Sequence, residues 1–131
     1  MREADAQAVR LSEYRPFDWL IDSVGLDFQL DPKATHVRST LVMRPNPKGR
    51  EGAPIELDGD ELTLTSVKLD GRSLRADEYE VTAARLTIKH PPRGKLTLEI
   101  ETVINPSANT KLMGLFRSNK IYCTQCEAEG F

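Results

Sequence analysis

The chain has 131 residues, with 18 basic and 20 acidic side chains, a formal net charge of -2 at pH 7 and 39% hydrophobic residues. This length suits a single domain with a core of its own. The charges are interspersed, without a basic stripe or a charged tail, so nucleic acid is not expected as a partner. No apolar run approaches the roughly 20 residues of a membrane span, and residues 1–20 lack the apolar centre of a secretory signal. We therefore expect a cytoplasmic protein with no membrane partner.

Apolar and polar residues alternate along most of the chain, which is typical of half-buried strands. The first run has Val24, Leu26, Phe28 and Leu30 on one face. A Pro- and Gly-rich loop, residues 45–54, separates the early strands from the later ones. The predicted strands after the first lie at residues 37–43, 62–69, 79–81, 86–88 and 96–104.

Two local features refine this pattern. The apolar phase changes between Leu64 and Val67, which predicts a β-bulge at residues 65–66. Asp70-Gly71 predicts a two-residue hairpin turn, because both residues tolerate positive φ. We therefore predict an all-β fold, a mostly antiparallel β-sandwich or saddle-like sheet domain over residues 1–131. Little helix is expected, with at most a turn or two in residues 4–13, and Trp19 is predicted to anchor the core or its edge.

The alternation fades after Asn105, and residues 105–131 are rich in Asn, Ser, Thr, Gly and Lys. This composition predicts a loop-rich segment that leaves the sandwich and leads into the final motif, Cys123-Thr-Gln-Cys-Glu-Ala-Glu-Gly-Phe131. Chain ends are usually frayed and dispensable, whereas this one concentrates thiols, carboxylates and an amide. We expect the chain to be the amino-terminal piece of a longer parent protein, in which residues 105–131 lead to an active site between domains.

Cys123 and Cys126 form a Cys-x-x-Cys pair, a spacing that also occurs in zinc sites and redox centres. A structural zinc ion needs two further ligands, and the two histidines, His36 and His90, are remote from each other and expected at the surface. A thioredoxin-like pair needs a βαβ unit, which the pattern does not predict. We expect two free, buried or half-buried thiols and no metal site in this chain, and a thiol or metal protein stays as a third alternative.

Glu127 and Glu129 lie beside Gln125 in a stretch of small and sulfur-containing residues. A carboxylate in a partly dry cleft attracts an ammonium ion strongly, because the Coulomb energy grows as the dielectric constant falls. A structural salt bridge explains the same residues, and the sequence leaves both readings open. The sequence contains no Ser/His/Asp set, no Gly-rich phosphate loop and no His-Glu-x-x-His, so no catalytic residue is predicted within this chain.

Residues 105–131 and the opening segments Tyr14-Arg-Pro-Phe-Asp-Trp-Leu-Ile21 and Leu26-Asp-Phe-Gln-Leu-Asp31 resemble a known family. They are similar to the amino-terminal domain of the bacterial M1 zinc metalloaminopeptidases, the aminopeptidase N group. The resemblance covers nearly the whole chain and is weakest at residues 45–54 and 75–85. It implies a saddle-like β domain that covers a catalytic domain, where a His-Glu-x-x-His helix and a further Glu, all downstream of Phe131, hold the zinc.

The resemblance implies that the parent removes amino-terminal residues from peptides and that this chain alone is inactive. Glu127 would bind the free α-amine of the substrate, and Gln125 would line the pocket for the first side chain. The family also implies a cis peptide between Glu127 and Ala128. Peptides with a free amino terminus and the parent's own catalytic domain are the implied partners. Structural support around the motif is expected from Cys123, Cys126, Ala128 and Glu129.

One departure and one rival interpretation accompany this resemblance. Phe116 stands where the family often has Tyr after Gly-Leu, so a hydrogen bond from that hydroxyl group is absent here. The rival is a stand-alone β-sandwich interaction module with no catalytic role, in which residues 123–131 form an exposed partner-binding tail. A large apolar face left bare by the removal of a neighbour would favour the parent protein over this module.

Overall fold

The computed structural model describes residues 10–126, and β-strands account for most of its regular structure. The helical elements of these residues are two short 3₁₀ helices, Leu11–Glu13 and Pro106–Ala108. The strands are β1 (Trp19–Gln29), β2 (Thr35–Pro45), β3 (Ile55–Asp58), β4 (Thr63–Leu69), β5 (Arg72–Ser73), β6 (Tyr79–Val81), β7 (Arg85–Ile88), β8 (Leu96–Ile104), β9 (Gly114–Ser118) and β10 (Ile121–Gln125). The predicted all-β fold with little helix is confirmed.

The strands of this part of the chain form three antiparallel sheets. The largest has the order β1-β2-β8-β4-β5, and a second has the order β3-β7-β6. The third is the two-stranded sheet of β9 and β10. The first two sheets contribute side chains to one hydrophobic cluster, as in a β-sandwich.

Leu98 lies at the centre of the core and is 0% exposed. It is paired with Leu41 of β2 on one side and with Leu69 of β4 on the other. From the second sheet, the cross-strand pair Ile55 and Ile88 completes the same cluster. Side chains two residues apart share one face of a strand, and for this reason the alternation in the sequence predicted the buried faces of β2 and β8.

The loop at residues 45–54 is fixed to the start of β1. Trp19 is buried, and its Nε1 donates a hydrogen bond to the carbonyl oxygen of Ala53 over 3.4 Å, which confirms the predicted anchor. Asp18 accepts hydrogen bonds from the backbone N–H and from Nη2 of Arg50, both at 2.8 Å. A methyl group on Gly49 would lie 2.7 Å from Cα of Asp18, so the close approach of these two segments requires glycine.

The two predicted local features are both present. The register of β4 against β8 shifts between Leu64 and Ser66, which confirms the bulge. Asp70 and Gly71 have φ angles of 50° and 83°, as a two-residue hairpin turn between β4 and β5 requires.

Two sequence expectations need correction. The expectation of a loop-rich segment at residues 105–131 is wrong for residues 114–125, which form the hairpin of β9 and β10. The sequence pattern missed these strands because they are short and show no clear alternation of apolar and polar residues. The half-buried interpretation of the first strand is wrong for Val24, Leu26 and Phe28, which are 56%, 43% and 38% exposed. They lie on the edge strand of the large sheet, which has a neighbouring strand on one side only among the described residues. Of the suggested helical turns at residues 4–13, Leu11–Glu13 is a 3₁₀ helix, and residues 4–9 lie outside the described range.

Among residues 10–126, no helix has the length and apolar character needed to cross a membrane.

Candidate functional site

The candidate site is carried by the hairpin of β9 and β10. Asn119 and Lys120 form the two-residue turn, with φ angles of 48° and 68°. Two consecutive positive φ angles are typical of the type I′ turn, whose twist matches that of the flanking strands. Asn tolerates this conformation well, so Asn119 is the sequence signal that would have revealed the hairpin.

The pairing of the hairpin places Gln125 and Cys123 on one of its faces. Gln125 is the last residue of β10 and pairs with Gly114, while Cys123 pairs with Phe116. Gln125 is exposed, and a Cβ built on Gly114 would meet no atom within 4 Å. A neutral amide that can both donate and accept hydrogen bonds is thus presented at the open end of the hairpin.

The 3₁₀ helix Pro106–Ala108, which precedes the hairpin, is hydrogen-bonded to the large sheet. The backbone N–H of Ser107 donates to the carbonyl oxygen of Pro32, in the turn between β1 and β2, over 2.9 Å. Nδ2 of Asn109 donates to the carbonyl oxygens of Met113 and Leu115 at 2.7 and 2.8 Å. Through these hydrogen bonds, the start of β9 is connected to the large sheet.

Arg117 and Tyr122 pack together on the opposite face of the hairpin. The guanidinium carbon of Arg117 lies 5.3 Å from the centroid of the Tyr122 ring. Both residues are half-buried, and a cation–π contact contributes about 0.5–2 kcal/mol, more when it is shielded from water. Nη2 of Arg117 also donates to the carbonyl oxygen of Lys120 over 3.5 Å, which ties the strand to its turn.

The two cysteines are free and half-buried, as predicted. Sγ of Cys123 lies 3.8 Å from the carbonyl oxygen of Ile121, a weak hydrogen bond within the strand. His36 and His90 are exposed, which confirms their predicted surface positions. Within residues 10–126, no three His, Cys, Asp or Glu side chains come together in a group that could hold a metal ion.

The other predicted site residues, Glu127, Ala128 and Glu129, lie outside the described residues. Their roles as amine anchor and structural support stay predictions, as does the cis peptide at Glu127–Ala128. The role of Gln125 in a side-chain pocket also stays a prediction. Its exposed position, two residues before Glu127 on a fixed hairpin, is compatible with that role.

Comparison with known proteins shows relatives that match the chain over nearly its whole length. Aminopeptidase N of Caulobacter vibrioides is 47% identical over 132 residues, which cover 100% of this chain and 15% of that protein. Aminopeptidase N of Escherichia coli is 40% identical over 125 residues, covering 95% of this chain and 14% of the relative. The Haemophilus influenzae protein of the same name is 34% identical over 126 residues. No family model matches the chain.

A solved structure shows the same fold. The crystal structure of Legionella pneumophila aminopeptidase A in complex with aspartic acid matches with a TM-score of 0.84 and 28% sequence identity. The match covers 93% of this chain and 14% of that one.

The fold and these comparisons therefore identify the chain as a β domain of the aminopeptidase class. More narrowly, the chain belongs to the aminopeptidase N proteins and corresponds to their amino-terminal domain. It spans about 15% of the length of the curated relatives that it matches.

Proposed function

We propose that this chain acts within a zinc-dependent aminopeptidase, as the domain that binds the amino-terminal end of a peptide substrate. The observation that carries this proposal is the 47% identity to an aminopeptidase N along the entire chain. The position of Gln125 at the exposed end of an anchored hairpin supports it, because the residues that follow begin from a fixed point.

In this proposal Glu127 pairs with the free α-ammonium group of the substrate. A fixed carboxylate selects such substrates because it is left unpaired when the ammonium group is blocked or missing. The same contact fixes the distance from the amino terminus to the catalytic centre, so the first peptide bond is the one that is cleaved. Gln125, which is neutral, shapes the pocket for the first side chain.

The residues of this chain do not fit a catalytic zinc ion. Within residues 10–126 no group of three or more potential ligands comes together, and the whole sequence contains only two histidines and no His-Glu-x-x-His. We therefore assign the zinc to the downstream domain of the parent, which makes that domain the intramolecular partner of this one. Peptides with a free amino terminus are the proposed substrates, and the cytoplasm is the proposed location.

The test is to read the gene beyond the codon for Phe131 and to assay the complete product. The proposal expects an open frame that encodes His-Glu-x-x-His and a later Glu, and hydrolysis of aminoacyl p-nitroanilides but not of their N-acetylated forms. Chelation should abolish the activity and zinc should restore it. A stop codon directly after Phe131, or a zinc-dependent product that cleaves free and acetylated substrates equally, would contradict the proposal.

The role of Glu127 is tested by comparing kcat/KM of Glu127 variants with that of the unmodified complete enzyme. Glu127→Gln and Glu127→Ala should each lower kcat/KM by about 100-fold, which corresponds to about 3 kcal/mol of transition-state binding. Glu129→Gln is the matched control, because it removes a charge two residues away in the same motif. Unchanged kcat/KM on a free-amine substrate in both Glu127 variants would exclude the amine anchor.

A further inference from the structure

One asparagine side chain organises the loop that leads into the hairpin. Residues 109–113 belong to no helix or strand, so no regular backbone ladder defines their conformation. Nδ2 of Asn109 donates hydrogen bonds to the carbonyl oxygens of Met113 and Leu115 at 2.7 and 2.8 Å. Oδ1 of the same side chain accepts a hydrogen bond from the backbone N–H of Leu112 over 3.2 Å. Both ends of this amide thus hold backbone groups of the loop.

The two carbonyl groups held by Asn109 lie on either side of Gly114. Gly114 has a φ of +69° and pairs with Gln125 at the open end of the hairpin. Since each residue has only two soft backbone dihedral angles, restraints on both carbonyl groups narrow the conformations of Gly114 and Leu115. The amide of Asn109 therefore acts on the backbone segment that lies directly opposite Gln125.

Leu112, in the same loop, has a strained backbone. Its φ is 58°, in the left-handed region, which a large L-residue adopts only with strain. The side chain of Leu112 is 53% exposed, so its burial does not account for this conformation. The hydrogen bond to Asn109 does hold it. Strained residues persist where neighbouring contacts enforce them, and they concentrate near functional sites.

The segment that carries Asn109 is itself attached to the large sheet. In the 3₁₀ helix Pro106–Ala108, Pro106 is fully buried, and the N–H of Ser107 donates to the carbonyl oxygen of Pro32. The N–H of Asn109 donates to the carbonyl oxygen of Pro106 over 3.3 Å. A continuous series of hydrogen bonds therefore runs from the turn between β1 and β2, through the 3₁₀ helix and Asn109, to the start of β9.

We propose that Asn109 is a positioning residue for the substrate pocket, which holds Gln125 in place through the backbone of Gly114. This inference rests on the proposed function, in which Gln125 lines the pocket for the first side chain of the peptide. Asn109 itself does not touch the substrate. Its contribution is to fix the geometry of the pocket before the peptide binds, so that less ordering is needed at that moment.

The test compares two substitutions at Asn109 in the complete gene product. Asn109→Ala removes all of its side-chain hydrogen bonds, whereas Asn109→Asp keeps the acceptor for the N–H of Leu112 and places a carboxylate against two carbonyl oxygens. Asn46→Ala is the matched control. Asn46 is also half-buried, donates from Nδ2 to the carbonyl oxygen of Phe17 over 2.9 Å, and accepts from the N–H of Lys48 in the loop after β2.

The first readout is substrate selectivity, measured as the ratio of kcat/KM for two aminoacyl p-nitroanilides with different side chains. Both Asn109 variants should change this ratio by about fivefold, in the same direction as Gln125→Ala, and Asn46→Ala should not change it. The double variant Asn109→Ala/Gln125→Ala should have the ratio of Gln125→Ala alone, because Asn109 acts only through Gln125. An unchanged ratio in both Asn109 variants, or effects that multiply in the double variant, would overturn the inference.

The second readout is backbone hydrogen exchange in the complete product, which does not require activity. Asn109→Ala should accelerate exchange in β9 and β10 by about tenfold and leave β8 unchanged, because only the hairpin loses its restraint. Asn46→Ala should leave the hairpin unchanged. Equal exchange in the hairpin with and without Asn109, or an equal increase in β8, would overturn the inference. Asn109→Asp serves for both readouts if Asn109→Ala does not fold.

Failure of this inference and failure of the proposed function give different results. A complete product that hydrolyses no substrate with a free amine contradicts the proposed function, and with it the pocket in which Asn109 would place Gln125. An active enzyme whose selectivity does not respond to substitution of Asn109 leaves the proposed function intact and overturns this inference alone.

Discussion

Gln125, the last residue of β10, lies directly across the hairpin from Gly114, the first residue of β9. Gly114 has a φ of +69°, a conformation that other residues adopt only with strain. This backbone conformation lies directly across the hairpin from the amide that we propose for the substrate pocket. We therefore expect the position of that amide to depend on a glycine eleven positions earlier in the sequence.

Gly114→Ala should destabilise the chain by about 1 kcal/mol, because an L-residue is disfavoured in this conformation. In the complete enzyme it should also raise KM, since the residue paired with it is displaced. Gly71→Ala is the matched control: its φ is +83°, its side-chain space is equally open, and it lies in the turn between β4 and β5. Urea denaturation and steady-state kinetics measure the two effects. An equal KM in both variants would show that Gly114 does not position the site.

Gln125→Ala should change the preference for the first residue of the substrate while leaving the requirement for a free amine intact. A pocket contact of this size alters the ratio of kcat/KM between two substrates by about tenfold. Thr124→Ala is the control, because Thr124 is exposed and lies on the opposite face of the hairpin. A panel of aminoacyl p-nitroanilides gives the ratios. If Gln125→Ala changed kcat/KM by the same factor for every substrate, Gln125 would have no role in selectivity.

Leu98→Ala should lower the free energy of unfolding of the chain by about 2–5 kcal/mol, since it leaves a cavity at the centre of the core. Leu26→Ala should lower it by about 0.5 kcal/mol or less, because this side chain is 43% exposed. Urea denaturation of the 131-residue chain provides both values.

The stability of the chain should depend on pH through Asp18. Hydrogen bonds from the Arg50 side chain and backbone lower the pKa of Asp18 from 3.8 to about 2. The folded state therefore binds this proton less readily than the unfolded state. Its stabilising contribution is complete above pH 3.8 and is lost as the pH falls towards 2.

Asp18→Asn isolates this contribution. Hydrogen bonds also lower the pKa values of the carboxyl groups of Asp31, Glu78 and Glu101, so the unmodified chain loses stability in acid for several reasons. Denaturation midpoints should show a large difference between the unmodified chain and Asp18→Asn near neutral pH and a small one near pH 2. If the difference in midpoint stayed constant between neutral pH and pH 2, the ion pair between Asp18 and Arg50 would not contribute to stability.

Much of the fold follows from local sequence rules. The alternation of apolar residues predicted β2, β4 and β8, the phase change at Leu64 predicted the bulge, and Asp70-Gly71 predicted its turn. These features are local because side-chain parity and backbone φ depend on a residue and its immediate neighbours. The resemblance of the terminal motif to aminopeptidases also came from the sequence alone, because the motif is a contiguous stretch.

The tertiary structure decided which apolar faces are covered and how the site is held. Leu26 and Leu98 are equivalent in an alternating pattern, yet Leu26 is exposed and Leu98 is buried. The order of the strands distinguishes them, because β1 lies at the edge of the sheet and β8 between β2 and β4. The pairing of Gln125 with Gly114 likewise depends on a hairpin whose short strands lack periodicity. Periodicity fixes which side of a strand is apolar, but burial depends on what packs there, and that is a property of residues distant in the chain.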